Sequence, residues 1–440
     1  MKAKRSFLSV LLALCMMFML VPMTAYAADP AYFEVTVGSS VTQHATAEEA
    51  YEKVEELLPD GGEATIKLLD NYTGSGIVVK ANKNLNLTFD LNGKTWKVEE
   101  PLVGSAGTET NAFQLNRGNT VTFQNGAVTS SVARIIFQNY CDLTVDNVDI
   151  TLTTATLGSY AMSNNNASTV IKGGSTIEVT TEGNYAMDSF TFGDYTGGNV
   201  TIEDAEIKGD VEIANGGKLK LDGGVIDGDV TVYNYSYDSH SNDSALFTVE
   251  SGVVNGDVST EKLGATVFNG GEVTGEVTCE DNGTASVTVA GGVFGKLDEN
   301  IKVTAADAAV ITSGKDSKTV VGLSNINKAL ENAGEGVILQ ITKAAEGSKI
   351  VAPVGVVVKN NSGNTVLVND EELAKDSSMT VEKKAEDNNK VDPAPKPNDG
   401  KDNPQTGNSS NLALPVIMLF LSGVGFVGTS IYLRKRRYGK

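Results

Sequence analysis

One short phrase, repeated at a nearly constant interval, limits this chain more than anything else in it. An apolar-x-apolar triplet, two polar positions that often include Gly, and a further apolar residue recur through its middle. The copies read Val121-Thr122-Phe123…Val128, Leu143-Thr144-Val145…Ile150, Val200-Thr201-Ile202…Ile207 and Leu219-Lys220-Leu221…Ile226. They continue as Phe247-Thr248-Val249…Val254, Thr266-Val267-Phe268…Val273 and Val287-Thr288-Val289…Phe294, with a one-residue slip in a copy near Val170 to Ile177. The mean interval is about 24 residues. A second marker keeps step with the first: Gly209-Asp210-Val211, Gly228-Asp229-Val230, Gly256-Asp257-Val258 and Gly275-Glu276-Val277 recur at spacings of 19, 28 and 19. Earlier, Tyr160-Ala161-Met162 and Tyr185-Ala186-Met187 repeat 25 apart.

Alternation with period two, broken every few residues by Gly or Asn, predicts short strands joined by tight turns. The period is too short for a propeller blade, the leucine-rich pattern is missing, and an Ig-like domain needs units near 90 residues. What fits is a coil of three short strands per turn, each pairing with the next turn about 4.8 Å away. At that period residues 62–370 make roughly 13 rungs. Open coil ends expose strand edges. Thr46 and Glu49 form a capping-box pattern ahead of Ala50, Val54, Leu57 and Leu58, which predicts a helix over 46–58 covering the N-terminal mouth. A helix-then-strand phrase, Ser324 to Ala333 and Val337 to Ile341, reads either as a second cap or as a small appendage.

The two ends are of another kind. A basic start, an apolar run from Ser6 to Met23 and the small-x-small site Thr24-Ala25-Tyr26-Ala27 make an export signal, which gives 1–27 as a signal peptide. Residues 28–61 hold a first strand and the capping helix, and 62–373 the coil, with 324–373 the cap or appendage. Residues 374–402, rich in Pro, Asp and Lys, bury too little to order themselves and read as a disordered stalk. Asn403-Pro404-Gln405-Thr406-Gly407 follows, then an apolar stretch from Leu412 to Leu433 long enough to span a membrane, then the basic tail 434–440.

Charge and composition narrow the function. There are 35 basic and 55 acidic residues, and eight of the cations sit at the two ends, leaving 27 against 55 in the body. Such a body repels phosphate backbones, so nucleic-acid binding is excluded. Between the ends only Arg117, Arg134, His44 and His240 remain of two residue types on which acid–base and anion chemistry lean. Cys141 and Cys279 form no Cys/His cluster and read as buried thiols.

The C-terminal trio resembles the cell-wall sorting signal of Gram-positive surface proteins, the LPXTG family, with Asn403 where Leu is usual, as in the NPxT variants read by other sortase classes. The resemblance implies that the chain is a sortase substrate: Pro404 kinks the backbone, a sortase cysteine attacks the Thr406–Gly407 bond, and the acyl group passes to a peptidoglycan amine. The repeat resembles the right-handed parallel β-helix of pectate-lyase-like proteins. The phrase from Asn84 through Gly93 resembles phrases common in Gram-positive surface proteins. The fold expected is therefore all-β, a right-handed parallel β-helix with an N-terminal capping helix, a stalk and one C-terminal transmembrane helix.

That fold hosts polysaccharide lyases and hydrolases, but the residues do not favour catalysis. Arg117 and Arg134 sit beside strand starts where solvated turns are expected, and no Gly-His phrase exists. No enzyme activity and no cofactor are expected. Asp210, Asp229, Asp257 and Glu276 share one rung position, where Ca²⁺ would relieve their repulsion or where each Gly-Asp is simply a turn. Two rungs carry aromatic clusters, Phe190, Phe192 and Tyr195 in one, Tyr233, Tyr235 and Tyr237 in the other. Tyrosines beside Asn, Ser and Asp suit sugar stacking or a protein contact. The function expected is an adhesin-like, wall-anchored binder of host or community glycans or glycoproteins, secreted immunoglobulin included. A structural surface component without a ligand is the alternative, and a polysaccharide lyase or hydrolase a remote one.

Overall fold

The computed structural model describes residues 30–383 other than 192, 194–196, 235–242 and 282. The repeated triplets form a ladder of parallel strands. This first ladder runs through eleven strands, from Gly62–Leu68 to Lys302–Val303. Its register aligns Val121, Leu143, Thr169, Val200, Leu219, Phe247, Thr266 and Val287. The further apolar residue of each phrase builds a second ladder, in which Trp96, Val128, Ile150, Ile177, Ile207, Ile226, Val254, Val273 and Phe294 stack in turn. A third ladder aligns Phe113, Phe137, Met162, Met187, Val211, Val230, Val258, Val277 and Leu297. The chain thus coils through three parallel ladders, so each rung pairs with the one before and the one after.

The stacking is what makes short strands stable. Period-two alternation turns every second side chain inward, and each ladder's inward column is buried. A fully buried Val, Ile or Phe contributes about 1.5–3 kcal/mol, and here every rung adds several. At the early rungs the interior is aromatic: Phe89 stacks on Phe123 at 4.5 Å, and Trp96 meets Phe113, Phe33 and Tyr72 with ring centres 4.9, 5.1 and 5.7 Å away. The corner between the first and second ladders bends through the left-handed region, at Asn92, Asn125 and Asn147 with φ of 52, 58 and 58°. Asparagine tolerates that conformation better than other residues with a side chain. Asn147 Nδ2 donates to Asn125 Oδ1 at 3.2 Å, which ties one corner to the next.

The slipped copy near Val170 has a physical cause. Leu143 pairs with Thr169, not Val170, so a hydroxyl occupies an inward apolar slot. It is satisfied there: Thr169 Oγ1 donates to Asn164 Oδ1 at 2.9 Å and accepts from Asn139 Nδ2 at 3.0 Å, all three residues being buried.

The N-terminal mouth is closed by helix α1, Ala47–Leu57, with the capping box at Thr46 and Glu49 in place. Its Ala47, Ala50, Tyr51 and Val54 belong to the same continuous core as the ladders. The hairpin Phe33–Val37 and Ser40–His44 adds antiparallel strands to the edge of Gly62–Leu68. At the far end the parallel ladders stop at residue 303, which is why they hold fewer rungs than even spacing out to residue 370 gives. Strand Asp316–Val321 pairs antiparallel with Gly292–Leu297 and with Ala308–Ser313. Helix α2, Leu323–Leu330, buries Ile326 and Leu330 in a second core with Leu339, Ile341 and Val358. Two short parallel pairings follow, Val337–Lys343 with Val357–Asn360 and Lys349–Ile350 with Val366–Val368. Cap and appendage are one piece: a hairpin that ends the coil, joined to a small unit with its own core.

Candidate functional site

The outward side of the third ladder gathers the densest polar chemistry among the described residues. Its register aligns Gln114, Gln138, Ser163, Asp188, Glu212, Thr231 and Ser259, one per rung, all facing away from the core. The flanking column runs Asn111, Ile135, Tyr160, Tyr185 and Asp210. Tyr160 and Tyr185 stack with ring centres 5.0 Å apart and planes inclined by 15°. Glu212 lies between two tyrosines: the Tyr160 hydroxyl donates to Oε2 at 2.8 Å and the Tyr233 hydroxyl to Oε1 at 2.9 Å. One rung earlier, Asp188 accepts the Asn164 N–H at 2.8 Å and the Ser163 hydroxyl at 3.0 Å. Earlier still, Gln138 Oε1 accepts from Asn111 and Gln114 at 2.7 and 3.2 Å.

Asp188 and Glu212 are register neighbours on a parallel pair, so their carboxylates crowd one another. Burial pushes the Asp188 carboxyl up to about 7 and Glu212 adds to the rise, against the pull of the Asn164 and Ser163 hydrogen bonds. The folded chain therefore holds a proton that the unfolded chain has lost above pH 4. Stability from this group is full below pH 4, falls as pH rises, and is lost above about pH 7. Asp188→Asn should flatten that slope. Melting temperatures at pH 5 and pH 8 are expected to differ more in the wild type than in the variant, with the wild type losing stability at pH 8. Equal differences in the two proteins would contradict the assignment.

Of the aromatic residues singled out in the sequence, Tyr233 is the last residue of strand Val230–Tyr233, opposite Ala214. It is half-buried and belongs to the ladder, not to a loop outside it. Phe190 follows strand Tyr185–Ser189, its N–H on the Asn164 carbonyl at 2.9 Å. Phe192, Tyr195, Tyr235, Tyr237 and His240 lie outside the described residues. Tyr160, Tyr185, Asp188 and Glu212 were not legible as a site. The Tyr-Ala-Met phrases gave only a spacing, and the signal that unites them is the shared offset of 25 and 24 residues from Ser163 to Asp188 to Glu212.

The Gly-Asp column continues the same ladder edge, beginning where Asp210 succeeds Tyr185. Each carboxylate accepts the backbone N–H of its successor: Asp210 from Asp229 at 3.0 Å, Asp229 from Asp257 at 2.9 Å, Asp257 from Glu276 at 2.8 Å. Glu276 accepts from Lys296 Nζ, the looser next copy. One oxygen of each Asp thus ties its rung to the next. Among the described residues no three His, Cys, Asp or Glu side chains converge as a metal site. Arg117 and Arg134 are both exposed, at different corners; a terminal nitrogen of Arg134 reaches the Gly158 carbonyl at 3.5 Å. Cys141 is buried, its thiol pushed up to about 12 by burial, and Cys279 is half-buried.

The pentapeptide Asn403 to Gly407, the apolar stretch 412–433, the signal peptide and residues 384–402 of the expected stalk lie outside the described residues. Residues 374–383, expected as the start of that stalk, are folded instead: strand Ser377–Thr380 pairs antiparallel with Val357–Asn360, and Val381 is buried in the second core. Among those described, no helix is long and apolar enough to cross a membrane. No family model, no curated protein and no solved structure matches the chain.

Proposed function

We propose that this chain is an exported surface protein, joined covalently to a cell wall through Thr406 and binding host or community glycans or glycoproteins on its third face. In this reading the three ladders are the turns of a right-handed β-helix, the ectodomain that residues 384–402 hold away from the wall. Sortase and peptidoglycan are its partners in assembly, and the membrane helix serves only the precursor.

The observation that carries a binding role is the strip around Glu212. Stacked tyrosine rings offer flat apolar faces to the C–H side of a sugar or to a peptide side chain. One column away Gln114 and Ser163 are buried, whereas Gln138, Glu212, Thr231 and Ser259 are half-buried and can meet its polar edge, repeating at the ladder spacing of about 4.8 Å. Glu212 fixes rings from two different rungs, Tyr160 and Tyr233, on that outward side. The test uses cells that carry the full chain, challenged with a glycan array, mucin and serum glycoproteins. Tyr185→Ala and Glu212→Ala should each lower binding about tenfold or more, the loss typical of a hot-spot residue, at unchanged surface abundance. Wild-type cells that bind nothing beyond cells lacking the chain would leave the structural role instead.

A further inference from the structure

A second concave site lies away from the third face, where the chain turns from the third ladder into the first. Four successive turns stack there, and between them opens a groove of about 320 Å³ lined by Asn84, Asn86, Thr120, Tyr140, Asp142 and Asn166. Beneath it Leu85 and Cys141 belong to the core, 2 % and 1 % exposed, so the wall a ligand would meet is mainly polar. From the geometry we infer that this groove binds a neutral sugar ring.

The groove exists because of how the turns are held. Asn119 is its strut: Oδ1 accepts the Leu85 N–H at 3.2 Å, and Nδ2 donates to the Lys80 and Asn116 carbonyls at 2.9 Å each. Two turns pass through the left-handed region at Asn84 and Ala167, with φ of 53 and 60°. Alanine there is strained, since its Cβ crowds the backbone, and the strain is kept where it holds the groove's rim. Asn84 is part of the phrase resembling those of Gram-positive surface proteins, and its amide accordingly sits at the groove and not in the core.

The side-chain chemistry on this rim selects the ligand. The Asn84 amide makes no side-chain hydrogen bond within the described residues, and neither does the Thr120 hydroxyl; both residues are exposed. Asn86 donates through Nδ2 to Glu63 at 3.4 Å and keeps its oxygen for a ligand. Asp142 commits Oδ1 to the Ser168 N–H at 3.1 Å, leaving Oδ2. An asparagine amide presents a donor and an acceptor side by side, which matches a vicinal diol, and the surplus of acceptors calls for a ligand rich in O–H donors. No Lys or Arg lines the groove, so a carboxylate or phosphate would find no countercharge. A single carboxylate with one oxygen already committed is little for an ammonium or a divalent cation, which takes six to eight oxygens in the case of Ca²⁺. The volume sits at the lower end of small-molecule sites, about 300–1,000 Å³, and suits one ring with its neighbours in solvent.

This inference does not rest on the reading of the third face, since the groove is built from turns that face does not use. The experiment is saturation-transfer NMR on the purified full chain, with methyl glycosides of glucose, galactose and mannose as probes and galacturonate and glucosamine as charged comparators. At least one neutral glycoside should bind, more tightly than either comparator. Asn84→Gly, which keeps the left-handed turn, and Thr120→Val, at an exposed position, should each weaken it about tenfold, the loss of one or two hydrogen bonds. Glu212→Ala should leave it unchanged, which separates the groove from the third face. If Asn84→Gly lowers the melting temperature, Thr120→Val decides alone. Absence of neutral-glycoside binding, preference for a charged comparator, or undiminished binding by Thr120→Val would each overturn the inference.

Discussion

Gly256→Val is expected to destabilise the coil by roughly 3–5 kcal/mol, above the ~1–3 kcal/mol usual for overpacking because the obstacle is backbone. The reason is the stacking of the Gly-Asp turns. A Cβ on Gly256 would lie 2.2 Å from the Gly228 carbonyl oxygen, and one on Gly228 would lie 2.3 Å from that of Gly209. Both obstacles are backbone, so no side chain can swing aside. Gly256 is outside the left-handed region, so the cost comes from contact and not from dihedral strain. Gly334→Val provides the contrast: the position is exposed, lies outside the left-handed region and has open space around the new side chain, so the cost should stay within about 0.5 kcal/mol. Thermal melting of the two variants checks the difference. At about 2–4 °C per kcal/mol for a large domain, Gly256→Val should melt on the order of 10 °C below wild type, and similar melting of both variants would contradict the stacked-turn geometry.

The same column shows what a sequence can and cannot tell about such a coil. The Gly-Asp phrase is visible as a period, but its meaning is spatial: Gly admits the neighbouring carbonyl, and Asp caps the next N–H at 2.8–3.0 Å. The Tyr-Ala-Met phrases look like a separate marker, yet Met187 pairs with Val211 in one ladder. Phrases that differ in residue type share a column because the inward slot asks only for an apolar side chain of suitable size. Thr169 breaks even that rule, and periodicity misses it because Asn139 and Asn164 satisfy its hydroxyl from neighbouring turns. Hydrophobic pattern finds apolar columns and is blind to a buried polar one.

The capping helix was legible because its signals are local. Thr46 and Glu49 are three residues apart, and the helix they start differs by only one residue at each end from the expected span. The candidate binding strip was illegible for the opposite reason. Asp188 and Glu212 are ordinary outward residues along their own strands, and only the register of the third ladder makes them neighbours. Tyr233 could be suspected from its aromatic surroundings, but its partner Glu212 is 21 residues away. The end of the coil was also hidden, because strand 308–313 is as short as its predecessors and begins with four apolar residues, while only its pairing is antiparallel.

The central claim is that this coil is displayed on a wall, and Thr406 is where that claim is most exposed. If the chain is a sortase substrate, as proposed, the cysteine acylates on the Thr406 carbonyl and the bond to Gly407 breaks, which separates the ectodomain from the apolar stretch 412–433. In Thr406→Ala the hydroxyl and shape that a sortase would read at that position are gone, while the apolar stretch 412–433 is unchanged and, as a helix, would be about 33 Å long at 1.5 Å per residue. The decisive measurement is fractionation of cells carrying either form after muramidase digestion, with the chain detected by an antibody to its ectodomain. Wild-type chain should be released with peptidoglycan fragments attached, as a ladder of sizes, and Thr406→Ala should stay almost wholly in the membrane fraction. Equal release of the two forms, with no fragments on the wild type, would contradict the account.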